Sequence, residues 1–136
     1  MIEHTITAKS SESISALDPN KIVITKGKKV FDDSVIAIEA DYTAAELPKE
    51  LKAALKKRKK ISIEIQCAGL SDRVEAFGAY KLKLTDKNNI IITKSDFIDS
   101  ATAGVRSNKG AADLDRDLVR TLTLGQEVKI ILRVKP

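Results

Sequence analysis

Aromatic residues are scarce. Phe and Tyr together make up 4% of the 136-residue chain, and Trp is absent. The core must therefore be aliphatic, and stacking onto bases or sugars has little material to work with. A single cysteine, Cys67, excludes an internal disulfide. The single histidine, His4, has only Glu3 beside it as an acid/base partner, so no catalytic imidazole is expected. One His and one Cys cannot assemble a zinc site, and no metal or other cofactor is expected. No apolar run approaches the ~18 residues of a transmembrane helix. Met1-Ile2-Glu3-His4 does not lead a basic stretch into an apolar one, so no secretory signal is expected. Together these absences set the expectation of a cytoplasmic protein without membrane contact.

What is present reads as a globular domain. Apolar residues make up 43% and charged residues 32%, with a net charge of +5. The excess is spread over both halves of the chain and favours anionic partners only weakly.

The halves resemble each other. Ala16-Leu17-Asp18-Pro19-Asn20-Lys21-Ile22-Val23-Ile24-Thr25-Lys26 aligns with Leu84-Thr85-Asp86-Lys87-Asn88-Asn89-Ile90-Ile91-Ile92-Thr93-Lys94, an offset of 68 (84 − 16). After one residue is dropped the offset is 67, and Leu47, Leu51 and Leu55 face Leu114, Leu118 and Leu122. The expectation is one domain, 1–136, built by internal duplication from repeats at about 4–68 and 72–134.

Each repeat reads strand–strand–strand–helix–strand. Val74, Ala76, Gly78, Tyr80, Leu82 and Leu84 alternate without a break, which predicts one long strand. The matching stretch from Ile6 to Ala16 predicts a strand broken near Ser10–Ser13. Ile22–Thr25, Val35–Ile38 and Ile61–Cys67 predict strands, as do Ile90–Thr93, Ala101–Val105 and Val128–Val134. The leucines spaced by four predict two short helices, with Pro48 in the first turn of one and Asp115 capping the other. Gly69-Leu70-Ser71-Asp72 predicts a turn joining the halves. The fold class is α+β, mainly β, with about eight strands, two helices and pseudo-two-fold symmetry. A closed or partly open barrel is the leading architecture, because closure removes exposed edges. The alternative is an open antiparallel sheet with both helices on one face.

Three polar clusters are candidates for chemistry. Lys56, Lys57, Arg58, Lys59 and Lys60, with Lys49 and Lys52, set seven cations against Glu50. Such a run can track phosphates by charge alone. The competing reading is a solvated helix C-terminus whose cations complement the helix dipole. The second half carries Thr121–Gly125 there, so the run lies outside the shared scaffold. The second cluster runs from Val105 to Asp117, where Arg106, Asn108, Lys109 and Arg116 lead into a helix start. Free backbone amides there can bind an anion. The competing reading is a capped helix, with Asp113, Asp115 and Asp117 filling those amides. Asp41 holds the position of Asn108 in the first half, which pairs the two loops. The third cluster, Asp32, Asp33, Asp96 and Asp99, lacks the spacing of a calcium loop and reads as turn residues. Cys67 shares the parity of Ile61, Ile63 and Ile65 and reads as buried packing.

Lys94-Ser95-Asp96-Phe97 and Val105-Arg106-Ser107-Asn108-Lys109-Gly110-Ala111-Ala112-Asp113-Leu114-Asp115-Arg116 resemble the archaeal family known as domain of unknown function 371. The resemblance covers nearly the whole chain. It implies an archaeal source and no established activity. It marks Lys94, Ser95, Asp96, Arg106, Asn108, Lys109, Asp113 and Arg116 as candidate site residues. That family carries a Gly-His-Pro tripeptide in the first strand of each half. Here Ala8-Lys9-Ser10 and Phe77-Gly78-Ala79 stand instead. The favoured function is a non-catalytic binding module for an anionic ligand, nucleic acid among the candidates. The alternatives are a small enzyme using Lys94 or Lys109 with an aspartate between the two pre-helix loops, and a structural or oligomer-forming protein.

Overall fold

The computed structural model describes residues 1–135. The element order is β1 (Ile2–Lys9), β2 (Lys21–Thr25), β3 (Val35–Ala37), α1 (Lys49–Leu55), β4 (Lys60–Cys67), β5 (Leu70–Phe77), β6 (Asn89–Thr93), β7 (Thr102–Gly104), α2 (Arg116–Thr121) and β8 (Glu127–Val134). A 3-10 turn at Ala111–Asp113 precedes α2.

The fold is α+β and mainly β. Its strands form two four-stranded sheets rather than a closed barrel or a single open sheet. One sheet has the order β1-β8-β4-β5 and is antiparallel throughout. The other has the order β3-β2-β6-β7, with an antiparallel centre and parallel outer pairs. The sheets meet at two seams, each a single bridge: Lys9 with Ile38 and Phe77 with Val105. Closure stops there because β3 and β7 are only three residues long. So short an edge strand cannot carry a continuous ladder.

The alternating residues of the first sheet explain its buried face. Ile61, Ile63, Ile65 and Cys67 of β4 are buried, as are Val128, Ile130, Leu132 and Val134 of β8. The six helix-region leucines, Leu47, Leu51, Leu55, Leu114, Leu118 and Leu122, lie in the same aliphatic cluster as both sheets. The Asp115 carboxylate accepts from the amides of Asp117 and Leu118, the expected cap. The Cys67 thiol is buried and approaches the Thr121 carbonyl at 3.6 Å.

Two local expectations fail for identifiable reasons. The turn between the halves is Ala68-Gly69, not Gly69–Asp72. Both residues have positive φ (50° and 82°), which lets a two-residue hairpin join β4 to β5. The long strand expected over Val74–Leu84 ends at Phe77. The Gly78 amide donates to Lys59 O at 2.9 Å and the Ala79 amide to Leu55 O at 3.1 Å. The chain leaves the sheet there to cap the end of α1. The first half does the same at Ser10 and Ser11, whose amides donate to Gln126 O and Leu122 O. Leu82 and Leu84 stay buried outside any strand, so their alternation persisted without a ladder.

Candidate functional site

Several candidate residues make contacts that recur in both halves. The Asp41 carboxylate accepts from the Thr7 amide at 2.9 Å, and the Asn108 amide oxygen accepts from the Glu75 amide at 3.0 Å. Each ties a loop back onto an edge strand. β1 and β5 are the opposite edges of one sheet, so Asp41 and Asn108 are held at opposite edges of it. Lys94 pairs with Asp113 at 2.8 Å, and Lys26 pairs with Glu46 at 2.9 Å. Asp113 also accepts from the Gly110 amide, as Glu46 does from the Thr43 amide. The amides of Ser95 and Gly27 both donate to the threonine two residues earlier.

The remaining candidates break this pattern. Lys109 pairs with Asp72 at 2.8 Å, and the other Asp72 oxygen accepts from the Asp115 amide. The corresponding residues 42 and 4 are a Tyr42–His4 edge contact, with ring centroids 4.4 Å apart. Arg116 donates to the carbonyls of Ala16, Ala111 and Leu114, so its guanidinium fastens backbone. Arg106 lies 4.8 Å from the centre of the Phe77 ring and 3.7 Å from an Asp96 oxygen. Its side chain remains half-exposed.

Arg106 opens onto a groove of about 420 Å3 that it shares with Arg58, Tyr80, Lys81 and Asp96. This groove joins the basic run to the pre-helix loop. Gly78 makes the junction possible. A Cβ there would sit 2.2 Å from Leu55 O and 2.3 Å from Lys57 O. Tyr80 is 72% exposed at the groove, and Phe97 is equally exposed beside Asp96 in sequence. A second depression, lined by Lys57, Lys59 and Lys135, adjoins the same loop. Arg58 and Lys81 form no ion pair among the described residues.

The family model described as a domain of unknown function, DUF371, matches residues 6–135 of this sequence. The chain belongs to the DUF371 family. It is also 32% identical, over 135 residues, to an uncharacterised protein of the archaeon Methanocaldococcus jannaschii. That alignment covers 96% of this chain and 100% of the relative.

In this DUF371 chain, Ser10 and Gly78 mark the points where the first strand of each half leaves its sheet. Phe77 lies under Arg106, and Gly78 and Ala79 line the groove, so Phe77-Gly78-Ala79 borders it. Tyr80 and Lys81 were absent from the sequence-based candidates. The signal for them was an aromatic beside a cation in a chain poor in aromatics. No described helix is long and apolar enough to cross a membrane. Asp32 and Asp99 accept from the amides two residues on, Ser34 and Ala101, as turn residues do.

Titratable groups here predict an acid-sensitive fold. Burial holds the His4 imidazole below its ordinary value, with the Asp41 charge opposing. The Arg133 guanidinium and the Gln66 amide hold Glu64 below the usual carboxylate range. Burial pushes Asp72 up, but the Lys109 ammonium and the Asp115 and Arg73 amides outweigh it, and the net direction is down. His4 is easier to protonate in the unfolded chain, so stability falls as pH drops through about 6.5. The depressed carboxylates stabilise the fold above the usual carboxylate range. That contribution is lost as pH falls through and below about 4. The urea midpoint should therefore fall between pH 7.5 and 5.5 and again below pH 4. His4→Phe should remove only the first step.

Proposed function

We propose that this protein is a non-catalytic binding module for a polyanion, with single-stranded nucleic acid as the favoured ligand. The carrying observation is the groove where Arg58, Lys81 and Arg106 converge beside the exposed Tyr80 ring. Cations spaced along a groove follow a phosphate backbone, and an exposed ring stacks a base. The run Lys56–Lys60 extends the cationic surface from this groove to the depression at Lys57, Lys59 and Lys135. At the pseudo-symmetric place, Gly125 of the second half stands for Arg58 and Glu39 of the first half for Arg106. Of these two corresponding places, only the groove is therefore suited to an anion. The same comparison supports duplication followed by divergence, with the scaffold kept twice and the cationic groove built once.

The test is fluorescence anisotropy with labelled single- and double-stranded RNA and DNA across a salt series. Single strands should bind, and log K should fall linearly with log salt. Replacing Lys56, Lys57 and Arg58 with Gln should cut affinity at least roughly tenfold and reduce the slope by about 2. Tyr80→Ala should cost about 1–3 kcal/mol of binding without lowering thermal stability. No binding of any strand at low salt would overturn this reading.

A further inference from the structure

A second pocket lies on the solvent face of the first sheet and shares no lining residue with the groove. It has a volume of about 330 Å3, and Met1, Lys60, Ser62, Arg73, Glu75, Arg133 and Lys135 line it. The register shows how it is built. Ser62 of β4 stands directly between Glu75 of β5 and Arg133 of β8. Lys60, Arg73 and Lys135 each lie two residues from one of these, on the same face of the sheet. Five long side chains thus surround one short one, and the short one forms the floor.

That floor holds an unexplained group. The Ser62 hydroxyl is buried and has no hydrogen-bond partner among the described residues. An unpaired buried polar group is costly, and it calls for a partner such as a water or a ligand. Around it, Arg133 is fixed by Glu3 and Glu64 at 2.7 Å each, and Lys60 leans on Glu75 at 3.4 Å. Arg73 and Lys135 form no ion pair among the described residues. Glu3 and Glu64 thus offset Arg133, Glu75 offsets Lys60, and two of the four cations, Arg73 and Lys135, are left. A pocket with so small an excess suits one oxyanion group, not a polyphosphate.

We infer that this pocket binds a phosphate monoester. A phosphate group presents three terminal oxygens. They can accept from the Ser62 hydroxyl on the floor and from Arg73 and Lys135 on the walls at once. Such a group is carried by a small phosphorylated molecule or by the phosphorylated end of a nucleic acid strand. The inference stands on the pocket alone and holds whether or not the groove takes a strand.

The test is a titration of the full chain followed by amide NMR shifts, using inorganic phosphate, phenyl phosphate, and one oligonucleotide with and without a 5′-phosphate. Phosphate and phenyl phosphate should give saturable shifts at residues 60–62, 73–75 and 133–135. Arg73→Gln, on the surface, should weaken binding roughly tenfold. Ser62→Val is the sharper variant, because removing an orphaned hydroxyl should raise thermal stability while weakening phosphate severalfold. A 5′-phosphate that tightens the oligonucleotide, with the gain lost in Arg73→Gln, identifies the strand end as the source. Equal binding of both oligonucleotides, with saturable phenyl phosphate, identifies a small molecule. Absence of saturable shifts at these residues, or affinity unchanged in both variants, overturns the inference. Replacing Lys56, Lys57 and Arg58 leaves this pocket intact, so loss of strand binding there does not register as loss of phosphate.

Discussion

Gly78→Ala should destabilise the protein by about 3 kcal/mol, a large share of the 5–15 kcal/mol typical of a domain. The cause is steric. The new methyl group would sit 2.2 Å from Leu55 O and 2.3 Å from Lys57 O. Neither atom is a side-chain end that can swing away. Leu55 O already accepts from the Ala79 amide, and the neighbouring Lys59 O accepts from Gly78 itself. Relief requires the start of β4 and the end of α1 to separate. That also moves Arg58 away from Lys81 and Arg106, so strand affinity should fall with stability. Gly27→Ala is the control. Its nearest neighbour would be Thr25 Oγ1 at 3.5 Å, an ordinary contact, and the change should stay within about 0.5 kcal/mol. Urea melts of both variants decide the matter, with Gly78→Ala also lowering Tm by roughly 10 °C.

Leu51→Ala and Leu118→Ala should each cost about 2–5 kcal/mol. The two leucines occupy corresponding places in α1 and α2 and are at most 1% exposed. Both sit in one cluster that includes β1 and β8 from opposite ends of the sequence. The two truncations should therefore lower the same transition. Helix signal and a probe at Tyr42 in the first half should melt together in both variants. A variant that melts in two steps, with the unmutated half unchanged, would mean two independent units rather than one domain.

The strands at Lys21–Thr25, Lys60–Cys67, Asn89–Thr93 and Glu127–Val134 were legible because β-branched residues run to a clear end. The helices were legible from leucines spaced by four. What periodicity does not carry is partnership. Nothing in Val35–Ala37 reveals that it lies parallel to β2 or that its brevity leaves a seam at Lys9. The alternation across Gly78 misled for a related reason. Burial against a helix end has the same signature as burial in a ladder. Among the site candidates, residue type pointed at Lys94, Asp113, Asn108 and Asp41, and the structure gives each of them a partner within the fold. Arg106 and the basic run were legible as departures from the repeat. The Ser62 pocket was not, because it is assembled by cross-strand register from residues that individually resemble ordinary surface.

The register of the first sheet bears on how the chain folds. Ile2 lies opposite Val134, and the two strands stay paired residue for residue to Lys9 and Glu127. β1 therefore emerges from the ribosome long before its partner exists. Ile6 and Ala8, fully buried at the end, must wait through nearly the whole of synthesis. The β4–β5 hairpin can form locally, but the sheet that holds β1 cannot close until β8 arrives. Pairing at such sequence separation makes folding slow, and it gives the waiting strand time to meet another chain. Glu3, Thr5, Thr7 and Lys9, alternating along β1, keep one face of it polar during that interval.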